Sequence, residues 1–292
     1  MNIVDLYRHG DPVISFEFFP PKTDRGYHAL FETIGDLKEL TPGFVSMTMG
    51  AGGSTRSQTV DLVIRIEREL DLTAMAHLPC LGSERAEIAQ VLDDLAVAGI
   101  QNVLALRGDP PRDTTDFRHP DDGFDYASEL TAFIAERGGF SIGGGCHPET
   151  HPEATSAETD LMNLKKKVDA GAQFLISQLF FDNTKFFAFV DRARAEGIQI
   201  PIVPGIMPIT SVSGIRRMSA LGGGTIPSEL DSELSRNDED DAAVLEIGIE
   251  WASLQCRELI EAGVPGIHFY TLNRSSATRR IHRALREAGL VQ

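Results

Sequence analysis

Val13-Ile14-Ser15-Phe16-Glu17-Phe18-Phe19 is an apolar run interrupted by one acid and closed at once by Pro20-Pro21-Lys22. A run of this length, ended by prolines, predicts an interior strand of a parallel sheet, which is buried on both faces. An unpaired carboxylate there would cost several kcal/mol or force the group to take up a proton. Glu17 is therefore a candidate for chemistry as well as a feature of the fold.

Working outward, seven further β-rich runs follow: Phe44–Met49, Thr73–Cys80, Asn102–Gly108, Phe140–Pro148, Phe174–Phe181, Ile200–Met207 and Gly266–Asn273. Helical patterns separate them, at Tyr27–Leu40, Thr55–Leu70, Glu84–Ala98, Asp125–Arg137, Glu158–Ala170, Asn183–Glu196 and Ser211–Leu221. Gly99, Gly138, Gly171, Gly197 and Gly263 fall just before the next strand, where a helix stop belongs. Strict β-then-α alternation implies parallel strands with right-handed crossovers. Eight such units predict an α/β fold, a single (β/α)8 TIM barrel spanning residues 1–292. The stretch Gly222–Ala243 breaks the pattern and predicts an extra helical segment before the long helix Val244–Ala262 and the last strand.

Lys and Arg number 27 against 43 Asp and Glu, a formal charge of −16, and no local basic patch offsets it. That argues against a nucleic-acid partner. Cys80, Cys146 and Cys256 lie far apart, with neither a disulfide framework nor a thiolate metal site suggested. No run approaches a membrane span, and no basic segment precedes an apolar stretch at the N-terminus, so a cytoplasmic setting is expected.

In such a barrel the active site lies where strands end. Those ends carry Glu17, Thr48, His77, Arg107-Gly108-Asp109, His147, His151, Gln178 and Asn273-Arg274. Any one of these could simply cap a helix or satisfy a loop. Gly143-Gly144-Gly145, next to His147, reads as a phosphate or diphosphate cradle. Pro148 and Pro152 break any helix, so His147 and His151 need not share a face and no metal site is assigned. Asp160, Asn163, Lys166 and Lys167 form either a solvated helix face or a set for the ribose and diphosphate of a dinucleotide. No GxGxxG follows a strand, so a Rossmann reading has no support.

The segments Ser15–Pro21, Ala105–Asp109, His151–Ala154, Ser177–Asp182, Pro204–Ile206 and His268–Arg274 together resemble the signature segments of the bacterial methylenetetrahydrofolate reductase family. They occur in order, one per barrel strand. The resemblance implies a (β/α)8 barrel holding FAD, with NADH or NADPH as hydride donor and 5,10-methylenetetrahydrofolate as substrate. By match, Glu17 would be the general acid, its pKa raised by Phe16, Phe18 and Phe19. Asp109 would act in catalysis beside flavin and pterin, Gln178 would meet pterin or nicotinamide, and Arg274 would lie in the folate site. Thr48, Met49, Ala51, His77, Arg107, Gly108, Asp109, Ala127, His147, His151, Ala154, Asp160, Asn163, Lys166 and Lys167 fall at FAD-contact positions. Met49 and His147 stand where relatives usually carry tyrosines; Gly214 and Met218 stand where they carry glutamine and phenylalanine. A flavin-independent variant, a different flavin barrel acting on a cyclic amine, and a catalytically silent folate-binding barrel or subunit of a one-carbon complex are the alternatives. A homo-oligomer is compatible with all of them.

Overall fold

β1 (Val13–Phe18) pairs in parallel with β2 (Phe44–Met47) on one side and with β9 (Gly266–Tyr270) on the other. From β2 the ladder continues through β3 (Ala74–Pro79), β4 (Asn102–Leu106), β5 (Ser141–Cys146) and β6 (Phe174–Ser177) to β7 (Ile202–Val203). From β9 it continues to β8 (Gly205–Ile206). Only Pro204 separates β7 from β8. The two short strands are one barrel strand, interrupted because proline has no N–H to give the ladder. Its carbonyl stays in register, accepting from the His268 amide at 3.0 Å. The nine strands of the sheet are thus eight barrel strands that close on themselves, as the alternating pattern predicts. The computed structural model describes residues 1–50, 55–110, 117 and 119–292.

The expected crossover helices are α2 (Asp24–Lys38), α3 (Arg56–Leu70), α4 (Arg85–Ala98), α5 (Ala127–Arg137), α6 (Ala157–Asp169), α7 (Asn183–Ala195) and α8 (Val212–Gly222). Short polar side chains start several of them: Thr23, Ser156 and Ser211 each accept a first-turn amide. The stop signals act as read; Gly99, at φ 88°, ends α4 in the left-handed region that favours glycine. The irregular stretch contains α9 (Ser228–Arg236), packed with α8 and α10 (Asp241–Glu261) around Leu230, Leu234, Ile215 and Val244. α11 (Ser276–Glu287) closes the ring.

Alternation along each strand sorts the core into two layers. Ile14, Phe16, Phe18, Val45, Ala76 and Phe269 point outward to the helices. Phe44, Met75, Leu104, Phe174, Ile176 and Val203 fill the barrel interior. A short helix that the sequence reading did not anticipate, α1 (Ile3–Leu6), seals the N-terminal end of the barrel. Four residues give no periodic signal. It is held instead by Asn102 and Ser141, whose side-chain oxygens accept the Ile3 and Val4 amides at 2.8 and 3.3 Å.

Candidate active site

Glu17 lies on the inward face of β1, at the level where the apolar filling of the barrel gives way to polar groups. One carboxylate oxygen stands 3.4 Å from His77 Nε2 on β3 and 3.5 Å from His268 Nε2 on β9. His268 is fully buried, stacked on Phe44, with Nδ1 2.8 Å from Ser15 Oγ. Burial holds His77 below the usual imidazole range; Glu17 opposes that shift and His268 adds to it. Among the described residues His77 Nε2 has no geometrically sound hydrogen-bond partner.

The expectation that Phe16, Phe18 and Phe19 wall in the Glu17 carboxyl is overturned. Phe16 and Phe18 sit on the opposite face of β1, in the layer against the helices, and Phe19 is 43% exposed. Successive strand residues point to opposite faces, so chain neighbours cannot wall in the carboxylate. Its actual neighbours are the two histidines. Neither His268 nor Tyr270 was assigned a site role from sequence. Register brings them in: Ser15 and Glu17 on β1 pair with His268 and Tyr270 on β9, a pairing that the linear sequence does not show.

The mouth above Glu17 is braced between β1 and β9. Thr271 Oγ1 donates to the Glu17 carbonyl at 2.6 Å, and Asn273 both accepts from the Phe19 amide (3.0 Å) and donates to its carbonyl (2.8 Å). Leu272 and Asn273 carry the strain of this bracing in their backbone, with φ of 52° and 56°. Paired non-glycine residues in that region persist only where surrounding contacts over-determine them, and such strain clusters at functional sites. Tyr270 hydroxyl donates to the Ser177 carbonyl at 2.5 Å, tying β9 to β6. Burial, with Glu17 and Cys146 adding to it, pushes the Tyr270 phenol well above its ordinary range.

The ends of β4 and β5 and the helix α6 form the other side of the mouth. Arg107 pairs with Glu153 at 2.6 Å, and His147 packs edge-on against His151 with ring centroids 4.6 Å apart. Asp160 accepts the His151 amide at 2.9 Å, so it pins the His151–Ala154 turn, which closes through the Ala154 amide on the His151 carbonyl. Lys167 donates to the Gly145 carbonyl at 2.6 Å, and Lys166 to Asn163 at 3.3 Å. Burial lowers the Lys167 ammonium, opposed by Cys146 and Asp160. Thr48 and Met49 follow β2, Gly108 follows β4, and Ala127 is the first residue of α5. Ala51 lies outside the described residues.

The phosphate-cradle reading of Gly143-Gly144-Gly145 is also overturned. These glycines lie within β5, and a Cβ at Gly143 would come within 2.7 Å of Phe174, one at Gly144 within 2.8 Å of the Lys167 stem. They make room for neighbours inside and outside the barrel. Asp109 and Arg274 are exposed on the rim, and among the described residues no hydrogen bond or ion pair joins either to Glu17. Gln178 turns back on itself, its Oε1 accepting the Leu179 amide at 2.8 Å, with Gly222 of α8 against its side chain. Gly214 supplies the amide that caps α8 on Ser211, where a Cβ would come within 2.5 Å of that hydroxyl.

Burial, reinforced by His151 and Lys167, pushes His147 down to about 3 from an ordinary 6.5. Between those values the unfolded chain binds a proton that the folded one refuses. The associated stability is present above pH 6.5 and is lost as pH falls toward 3. Since the ring is partly exposed, the loss is on the order of 2 kcal/mol. We expect His147→Tyr to abolish this component, read as a shrinking stability gap to wild type between pH 4 and about 6.5 in urea unfolding.

A family model described as "Methylenetetrahydrofolate reductase" matches residues 2–286. The 5,10-methylenetetrahydrofolate reductase of Escherichia coli is 36% identical over 274 residues, covering 93% of this chain and 90% of that protein. The chain belongs to the methylenetetrahydrofolate reductase family. "Methylenetetrahydrofolate reductase (NADH) 1" of Arabidopsis thaliana is 39% identical over 94% of the chain but only 49% of its own length. The chain thus spans about half the length of the plant and yeast relatives it matches. Among solved structures, "Uncharacterized protein from Clostridium thermocellum binds two copies of 5-methyl-5,6,7,8-tetrahydrofolic acid" superposes with a TM-score of 0.67 over 97% of both chains. At 14% identity that likeness shows the barrel fold alone.

Proposed function

We propose that this member of the family reduces 5,10-methylenetetrahydrofolate to 5-methyltetrahydrofolate with a nicotinamide dinucleotide, NADH or NADPH, as the source of electrons and FAD as cofactor. The observation that carries the reading is the placement of Glu17: an ionisable carboxyl inside the mouth of the barrel, flanked by two imidazoles. A five-membered folate ring opens to an iminium when one of its nitrogens is protonated, and a barrel-mouth carboxylic acid suits that task. His77 and His268 flank the carboxyl at 3.4 and 3.5 Å, and the Thr271 and Asn273 braces fix the β1 backbone that carries it.

The residues on the opposite side of the mouth fit a flavin dinucleotide. Arg107, His151, Lys166 and Lys167 offer cationic or donor groups along one wall; among the described residues His77 Nε2 is a buried polar atom with no sound partner. When bound, FAD supplies two-electron hydride chemistry between nicotinamide and folate. Thr48, Gly108, Ala127, Ala154, Asp160 and Asn163 would complete its walls, with Asp109 on the rim facing both ligands, and Gln178 and Arg274 serving the folate. Release of Arg107 from Glu153 would free a guanidinium for phosphate, which is planar, charged and suited to that contact.

Met49 and His147 in place of tyrosines weaken stacking by roughly 0.5–1.5 kcal/mol per aromatic lost. We therefore expect FAD to bind but to dissociate in part on purification. Added FAD should raise both activity and melting temperature, with about 2.7 kcal/mol of stabilisation at a hundredfold excess over the dissociation constant. His147→Tyr should lower that constant. A colourless preparation that forms 5-methyltetrahydrofolate at full rate and ignores added FAD would replace this reading by the flavin-independent one.

A further inference from the structure

Four polar side chains stack inside the barrel beneath the mouth: Ser15 on β1, Ser46 on β2, His268 on β9 and Glu17 on β1. Ser15, Ser46 and His268 are buried to 1% exposure or less. Interior barrel positions are ordinarily filled by branched apolar residues, and a buried polar set is expensive unless each member is satisfied. The distances show how it is satisfied. Ser15 Oγ stands 2.8 Å from His268 Nδ1 and 3.4 Å from the Ile267 carbonyl. His268 Nε2 stands 3.5 Å from Glu17 and 3.4 Å from Ser46 Oγ.

The Ile267 carbonyl can only accept. If the Ser15 hydroxyl donates to it, the Ser15 oxygen is left to accept, and His268 must carry a proton on Nδ1. The second ring nitrogen then faces two groups of different character. With a proton, Nε2 donates to the Glu17 carboxylate; without one, its lone pair accepts from the Ser46 hydroxyl. In each state Nε2 faces a group of complementary character, and neither requires the ring to turn. The ring itself is fixed by stacking on Phe44 at 5.7 Å and by the edge of Tyr270 at 5.6 Å.

We infer that Ser15 and His268 are positioning residues that hold and aim the proton of Glu17: Ser15 locks the Nδ1 proton of His268, so that the mobile proton lies on Nε2, facing the carboxylate. The proton passes from Nε2 to the Glu17 oxygen, and from that oxygen to the substrate nitrogen. Glu17 is left as carboxylate, His268 as the neutral Nδ1–H ring bonded to Ser46. A proton from water at the mouth then restores the pair. The inference deepens the proposed function and rests on it for the identity of the acceptor, but the proton arrangement itself does not. The titratable groups facing the pair are His77 from β3 and Tyr270 from β9. Among the described residues no lysine or arginine is ion-paired to Glu17.

Ring-nitrogen NMR of the full chain, with ¹⁵N-labelled histidine, tests the arrangement. In the wild type His268 should carry a proton on Nδ1. Glu17→Gln should move the Nε2 signal and leave Nδ1 protonated, whereas Ser15→Ala should disturb Nδ1 first. An unprotonated Nδ1, or an Nε2 signal indifferent to Glu17→Gln, would overturn the inference whether or not the chain reduces a folate. The kinetic arm uses Ser15→Ala because loss of the fully buried His268 ring could unfold the barrel. We expect kcat for 5-methyltetrahydrofolate formation to fall about tenfold with a displaced pH profile, and KM for the folate to change less than about twofold. An unchanged kcat and pH profile in a folded Ser15→Ala protein would show that Ser15 only packs. Wild type inactive on methylenetetrahydrofolate, with the NMR pattern present, would refute the proposed function and leave the proton arrangement standing.

Discussion

Glu17→Gln is expected to lower 5-methyltetrahydrofolate formation by roughly 10²–10⁴, the span usual for loss of a general acid. The amide keeps the size and much of the hydrogen bonding of the carboxyl but has no dissociable proton. Oxidation of NADH with an artificial electron acceptor involves no folate protonation and should stay within about twofold of wild type. The split between the two activities is the informative quantity. Equal losses in both would make Glu17 a structural or cofactor-binding residue. The variant should fold, since the amide has nearly the shape of the carboxyl and occupies the same space between His77 and His268.

The second large effect concerns barrel closure. Gly205 of β8 receives no side chain because none fits: a Cβ would come within 2.3 Å of the Ser177 carbonyl and 2.5 Å of the Tyr270 hydroxyl. Those two groups are hydrogen-bonded to each other, and the Gly205 amide donates to Ser177 Oγ at 2.9 Å. Next to the gap in the ladder at Pro204, this cluster replaces missing strand pairing. Gly205→Ala must therefore drive the new methyl into the Ser177 backbone carbonyl, which cannot swing aside, and into the tip of the Tyr270 ring that is bonded to it. We expect a loss of about 3 kcal/mol, the upper end for overpacking. That would appear as roughly 6–12 °C in melting temperature at the 2–4 °C per kcal/mol of larger domains. Tyr270→Phe, which removes only one bond of the cluster, should cost about 1 kcal/mol. If Gly205→Ala melts within a degree or two of wild type, the seventh barrel strand is not held as described.

The barrel was legible because each βα unit announces itself locally. A β-rich run ends at polar or proline residues, a helix follows, and a glycine such as Gly99 stops it. The interruption at Pro204 could not be read as a break, because Ile200–Met207 still has the composition of one strand and behaves as one. α1 escaped notice because its four residues are held by Asn102 and Ser141, about a hundred residues and more away. Glu17 stood out as an acid in an apolar run. Its surroundings did not, since the residues adjacent in sequence lie on the other face of the strand. The relevant neighbours, His77 and His268, come from β3 and β9, and pairing across a closed barrel cannot be seen in a linear chain. The glycines of β5 misled for a related reason. Glycine suits both a phosphate loop and a crowded strand, and the crowding groups, Phe174 and Lys167, are distant in sequence. Roles at the site therefore came from the family resemblance, and the structure supplied the partners.

Product stoichiometry tests the central claim most directly. Purified protein, saturated with FAD under anaerobic conditions, is given NADH and 5,10-methylenetetrahydrofolate, and both NADH consumed and 5-methyltetrahydrofolate formed are measured. We expect one methyl product per NADH, with Glu17→Gln consuming NADH in the presence of an artificial acceptor yet forming product at no more than about a hundredth of the wild-type rate. Saturable folate binding without any methyl product, or product formed equally fast by Glu17→Gln, would contradict it.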